Sequence, residues 1–85
     1  MTRQEAEVRL EKAILLGRDS AKGMCIDPDL AESTMRSDLS VEQCDGGYTV
    51  RVNKERLINR GLAAGLLMER LERDAHEYQQ RLDKL

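Results

Sequence analysis

The stretch of sequence that decides the fold is LSVEQCDGGYTVRV, residues 39–52. Asp45 and Gly46 form a pair that two-residue hairpin loops prefer, because both central residues of a type I′ turn need positive φ. With this pair as the loop, the facing residues on one side of the hairpin are Leu39/Val52, Val41/Val50 and Gln43/Tyr48. The turn and the alternation of apolar and polar residues favour the same register, so we predict an antiparallel hairpin over residues 38–53.

An amphipathic helix is predicted before the hairpin, over residues 3–22. Thr2 is a suitable N-cap, and Glu5 stands three residues later as its capping-box partner. Apolar residues recur on one face of this helix at Ala6, Leu10, Ala13 and Ile14. Residues 23–35 are predicted to be a loop or a short helix, because Asp27-Pro28 can form a turn or a capped helix start.

After the hairpin, we predict one long helix over residues 54–84, capped by Asn53. Its apolar and small residues alternate at spacings of four and three, which is the pattern of a coiled-coil seam. Gly61 and Gly65 lie within it and predict close approach of another element, or a kink at this point. The expected fold class is a small α+β protein, an α-β-β-α protomer in a single domain over residues 1–85.

Self-association is predicted because the long C-terminal helix extends beyond what the rest of the chain can cover. A helix of 30 residues spans about 45 Å, more than the first helix and the hairpin can cover, and an isolated hairpin is marginally stable. We therefore predict a homodimer through the C-terminal helix, although the first helix folding back, or another protein, could cover part of it. The predicted self-association residues are Ala64, Met68, Leu71, Ala75, Tyr78 and Leu82.

Composition narrows the functional classes. The chain has 85 residues, a net charge of −2, two cysteines and neither Phe nor Trp. Such a small net charge supplies no long-range attraction to nucleic acid or to an anionic membrane. The longest apolar stretch, residues 62–68, is too short to cross a bilayer, and the N-terminus lacks the apolar segment of a secretory signal. We expect a cytoplasmic protein without a disulfide framework.

No catalytic, cofactor or metal motif is found. Cys25, Cys44 and His76 lack the paired spacing of a zinc site, and Gly46-Gly47 is not followed by the helix that a phosphate-binding loop requires. We therefore predict no catalytic residue, no cofactor and no metal. A small enzyme or a ligand-binding protein is retained as a third alternative.

The predicted function is binding to another protein, as an adaptor, regulator or inhibitor. Candidate contact residues are the acidic Asp38, Glu42 and Asp45, and the basic Arg51, Lys54 and Arg56. The alternative is a dimeric regulator that binds nucleic acid through the hairpin and the basic start of the long helix. The net charge and the acidic Glu42 beside Arg51 disfavour that alternative.

Overall fold

The computed structural model describes all 85 residues and has the element order α-α-β-β-α-α. The helices are α1 (Arg3–Gly23), α2 (Pro28–Asp38), α3 (Lys54–Ala63) and α4 (Met68–Asp83), and the strands are β1 (Leu39–Cys44) and β2 (Gly47–Val52). The small α+β fold is therefore confirmed. None of the four helices combines the length and the hydropathy that a membrane crossing would need.

The first helix begins as predicted. The Thr2 hydroxyl accepts a hydrogen bond from the Glu5 backbone N–H at 3.1 Å, and the Glu5 carboxylate accepts one from the Thr2 N–H at 3.2 Å. This reciprocal capping box satisfies two backbone donors that would otherwise lack partners. The following segment is more ordered than a loop, because Asp27 caps α2 at the Asp29 N–H and α2 continues to Asp38.

The hairpin has the predicted register in all six residue pairs, from Leu39 with Val52 to Cys44 with Gly47. The predicted turn type is wrong. Gly46 has φ +85°, whereas Asp45 does not have positive φ, so the turn is not type I′. Positive φ at the second central residue alone is the pattern of a type II turn.

The single C-terminal helix over residues 54–84 is also wrong, because the chain reverses between α3 and α4. Gly65 adopts φ +86°, and the N–H of Leu66 donates to the Gly61 carbonyl at 3.0 Å. That bond is the six-to-one hydrogen bond of a Schellman motif, which ends a helix at a left-handed residue. The residues with four-three spacing are therefore divided between two helices that contact each other, and they do not form one continuous coiled-coil seam.

The break lets α3 and α4 bury their apolar faces against each other. A Cβ built on Gly61 would overlap Cδ2 of Leu71, so only glycine permits this close approach. Leu71 is itself 3% exposed. Gly61 thus provides the predicted close approach, whereas Gly65 ends α3 instead of producing the predicted kink within one helix.

The α1–α2 connection uses the same motif. The N–H of Ile26 donates to the Ala21 carbonyl at 2.8 Å, and Cys25 occupies the left-handed position with φ +58°. A helical hairpin thus stands on each side of the β-hairpin in the sequence. Both connections are four residues long, 24–27 and 64–67.

The core lies where α1 and α4 pack on the hairpin. One buried cluster contains Ala6, Ala13, Leu39, Val50 and Leu82.

The outer edge of β2 is also occupied: the Tyr48 N–H donates to the Met1 carbonyl at 2.8 Å. The Gln79 amide donates to the Val50 carbonyl at 2.9 Å and accepts from the Val52 N–H at 2.8 Å. Gln79 therefore replaces part of a missing third strand.

The surface of the chain is large for its mass. The accessible area is 5968 Å² and 11 of the 85 residues are buried. A compact monomer of 9.7 kDa has a surface of about 5,100 Å². The excess, about 850 Å², is close to the area that each partner contributes to a standard protein interface, about 800 Å².

Candidate protein-binding surface

The α3–α4 turn exposes the longest apolar stretch of the chain. All residues from 62 to 68, with the sequence LAAGLLM, are exposed. The exposed fractions of the large side chains are 42% for Leu62, 37% for Leu66, 75% for Leu67 and 46% for Met68. We call residues 62–68 the apolar turn. Contiguous exposed apolar residues of this kind commonly mark interaction sites.

Leu67 occupies a position where a polar residue would stabilise the helix. It is the N-cap of α4 and makes no side-chain capping hydrogen bond. The other three helices begin with the capping side chains of Thr2, Asp27 and Asn53. Leucine is among the poorest N-cap residues, because its side chain cannot accept a hydrogen bond from the free N–H groups of the first turn. Neither burial nor capping therefore explains a leucine at this position.

The predicted self-association residues separate into two groups. Leu71, Ala75 and Leu82 are buried within the chain itself, and Tyr78 is partly buried against the core. Ala64 and Met68 are exposed and belong to the apolar turn. The intramolecular packing of α4 thus accounts for most of the apolar pattern that predicted a dimer seam.

Among the predicted acidic contact residues, Asp38 is removed from the surface. It is 3% exposed and forms a bidentate ion pair with Arg60. The hydrogen bond to Asp38 raises the pKa of the Arg60 guanidinium. Glu42 and Asp45 remain exposed on the hairpin.

Of the three basic candidates, only Arg51 lies close to a carboxylate. Arg51 lies 3.8 Å from the Glu42 carboxylate, and the Arg56 guanidinium donates to the Ser37 hydroxyl. Lys54 forms no ion pair and, with Arg51, borders a cleft of about 250 Å³ that also contains His76 and Glu72. The start of α3 is therefore a mixed-charge surface and not a uniformly basic one.

A second apolar feature is a groove of about 600 Å³ between α1 and α4. Leu16 on α1 and Met24 in the α1–α2 connection border it, and Tyr78 borders it on α4. The Arg81 guanidinium lies 5.7 Å from the centre of the Tyr78 ring. Burial raises the pKa of the Tyr78 hydroxyl, and the nearby charge of Asp38 adds to this effect.

The remaining chemically reactive side chains are dispersed. Cys25 is exposed in the α1–α2 turn and Cys44 is partly buried beside the β-turn. No group of three or more His, Cys, Asp and Glu side chains is arranged to hold a metal ion.

Comparison with known proteins found no matching family model, no matching curated protein and no matching solved structure.

The sequence analysis missed the apolar turn because it assigned residues 62–68 to the interior of one helix. Two local signals could have located it. Gly65 followed by the apolar Leu66 is the sequence pattern of a Schellman motif. The second signal is the breadth of the apolar run, in which consecutive residues cannot all face the same side of one helix.

Proposed function

We propose that this chain is a non-enzymatic, cytosolic binding protein, and that it contacts another protein through the apolar turn of residues 62–68. The observation that carries the proposal is Leu67, which is 75% exposed at an N-cap position. An exposed leucine there contributes no core packing and no capping. A partner that buries it would gain about 1.5–3 kcal/mol from its transfer out of water.

The neighbouring residues fit the same role. Leu62, Leu66 and Met68 are each more than one-third exposed and lie within five residues of Leu67 in the sequence. Methionine and leucine side chains at such a site adapt to an apolar recess in a partner. The charged Arg60 and Glu69 flank the run on either side and would form the polar rim that protein interfaces usually have.

The test uses Leu67→Asp, which gives α4 a capping side chain and removes the exposed leucine. Wild-type protein and the variant are immobilised side by side and exposed to extract from the cells of origin. The matched control is Leu30→Asp, because Leu30 is 62% exposed on α2, away from the apolar turn in the sequence. Retained proteins are identified by mass spectrometry and their affinities are measured with purified material.

The proposal predicts a retained protein whose affinity falls at least tenfold with Leu67→Asp and stays unchanged with Leu30→Asp. Equal affinity for the wild type and Leu67→Asp would refute the role of the apolar turn.

A further inference from the structure

The exposed face of α1 carries a self-complementary pattern. Val8 and Leu15 are seven residues apart, two helical turns, and are 64% and 62% exposed. Glu11 and Lys12 lie between them on the same side of the helix, and both are exposed. If a second copy of this helix lies antiparallel to the first, apolar residues face apolar residues and acidic residues face basic ones.

We propose that a second copy of this chain docks here, with the two α1 helices antiparallel across a two-fold axis between Glu11 and Lys12. In that arrangement Val8 of one protomer faces Leu15 of its partner, and Glu11 faces Lys12. Each contact occurs twice, as an isologous interface requires. The proposal uses no residue of the apolar turn.

Lys12 and Glu11 can both contact a second copy of the chain, although only Lys12 lacks an ion pair within its own chain. Lys12 forms no ion pair within the chain. Glu11 is bound by Arg36 through both carboxylate oxygens, at 2.9 and 3.0 Å, which holds its side chain in a defined position. Each carboxylate oxygen keeps further acceptor capacity for the Lys12 ammonium group of a partner.

The shape of the surface also suits a second helix. A recess of about 450 Å³ runs beside Val8, with Met1 and Leu85 as its other apolar lining residues. In the antiparallel arrangement, Leu15 of the partner approaches this recess because it faces Val8. The surface of the chain exceeds that of a compact monomer by about 850 Å², close to the area that one partner contributes to a standard interface.

The experiment is the mass in solution, by light scattering behind size exclusion, over a hundredfold range of concentration. The wild type is expected at twice the 9.7 kDa of one chain at the upper end of the range. Leu15→Glu is expected to be monomeric throughout. The matched control is Leu30→Glu, which changes an equally exposed leucine on α2 and should keep the dimer.

The two charge variants test the geometry. Lys12→Glu places Glu against Glu twice and should weaken the dimer at least tenfold, and Glu11→Lys places Lys against Lys with the same result. A mixture of the two variants restores both acid–base pairs and should form a heterodimer, which native mass spectrometry detects directly. Circular dichroism melting establishes that each variant is folded.

A wild type that is monomeric at every concentration would overturn the proposal. So would a dimer that survives Leu15→Glu, or charge variants that fail to recover on mixing. A dimer that is lost in Leu67→Asp and kept in Leu15→Glu would assign self-association to the apolar turn instead.

Discussion

The carboxylate of Asp38 accepts two hydrogen bonds from the guanidinium of Arg60, with Nη1–Oδ1 and Nη2–Oδ2 distances of 2.7 and 2.5 Å. The two partners differ in exposure: the side chain of Asp38 is 5% exposed and that of Arg60 is 51% exposed. The pair joins the last residue of α2 to α3, which follows the hairpin in the sequence. It therefore fixes the two helical hairpins relative to each other.

This difference in exposure predicts that replacing Arg60 and replacing Asp38 lower the free energy of unfolding by different amounts. Arg60→Met leaves a buried carboxylate without its partner and should lower the free energy of unfolding by about 3 kcal/mol, the lower end for a buried pair, because Arg60 itself is half exposed. Asp38→Asn leaves an arginine that water can solvate and should cost about 1 kcal/mol. Urea unfolding of both variants measures the difference, and equal losses would show that burial of the carboxylate is not the deciding factor.

Gly61→Ala is expected to destabilise the protein although alanine favours helices. The added Cβ would overlap the Leu71 side chain, which is buried, so any shift of that side chain must displace its own packing neighbours. Overpacking costs about 1–3 kcal/mol and outweighs a gain in helix propensity of about 1 kcal/mol. The net loss should be about 1 kcal/mol by chemical denaturation.

Gly23→Ala is the control for that measurement, because no atom lies within 4 Å of the position that its Cβ would take and its φ is not positive. It should leave stability unchanged or raise it by up to about 1 kcal/mol. If Gly61→Ala were as stable as Gly23→Ala, the close contact with Leu71 would not constrain the α3–α4 packing.

Leu67→Asp should stabilise the isolated protein. An aspartate N-cap accepts a hydrogen bond from the first turn of α4 and contributes about 1 kcal/mol. For a domain of this size that gain raises Tm by about 4–8 °C. Leu67→Ala, which removes the leucine without adding a cap, should leave Tm nearly unchanged, so a similar rise in both variants would argue against the capping explanation.

Acid should weaken the contact between α1 and α2. Hydrogen bonds from Arg36 lower the pKa of both Glu11 and Glu32. A carboxyl group whose pKa is lower in the folded state stabilises the fold above its unfolded pKa, and that stability is lost as pH falls through the folded value. Tm should therefore decline as pH falls below about 4.

Arg36→Met is the matched variant for this pH dependence. Without the guanidinium, the two carboxyl groups titrate more nearly as in the unfolded chain, so part of the decline in Tm should disappear. Melting curves at intervals from neutral to acidic pH compare the two proteins. Parallel declines would show that other groups cause the acid sensitivity.

The sequence was sufficient to predict the hairpin and the start of α1. In the hairpin, the short loop and the alternation along 39–52 favour one register, and slipping by one residue would expose every apolar side chain of one face. The start of α1 depends only on Thr2 and Glu5, which are near neighbours in the chain. Both features are local, so no knowledge of the remaining structure was needed.

The break at Gly65 could not be derived from periodicity, because the four-three spacing continues through it. The same spacing fits one straight helix over residues 54–84 and two shorter helices that pack on each other. Only the packing of the side chains distinguishes the two arrangements. The close contact of Gly61 with Leu71 decides in favour of the second arrangement. The same contact explains why Leu71 is buried within one chain, and Leu82 is buried in the cluster with Ala6, Ala13, Leu39 and Val50, where the sequence indicated a partner.

The occupied edge of β2 has a consequence for the chain when it is partly unfolded. An open strand edge is a template on which other chains add strands, and such addition starts aggregation. Here, the groups that would accept an incoming strand already bind Met1 and Gln79, which lie at opposite ends of the sequence. Strand addition along the whole edge of β2 therefore requires both segments to detach, whereas loosening either one frees only part of that edge before the hairpin itself melts.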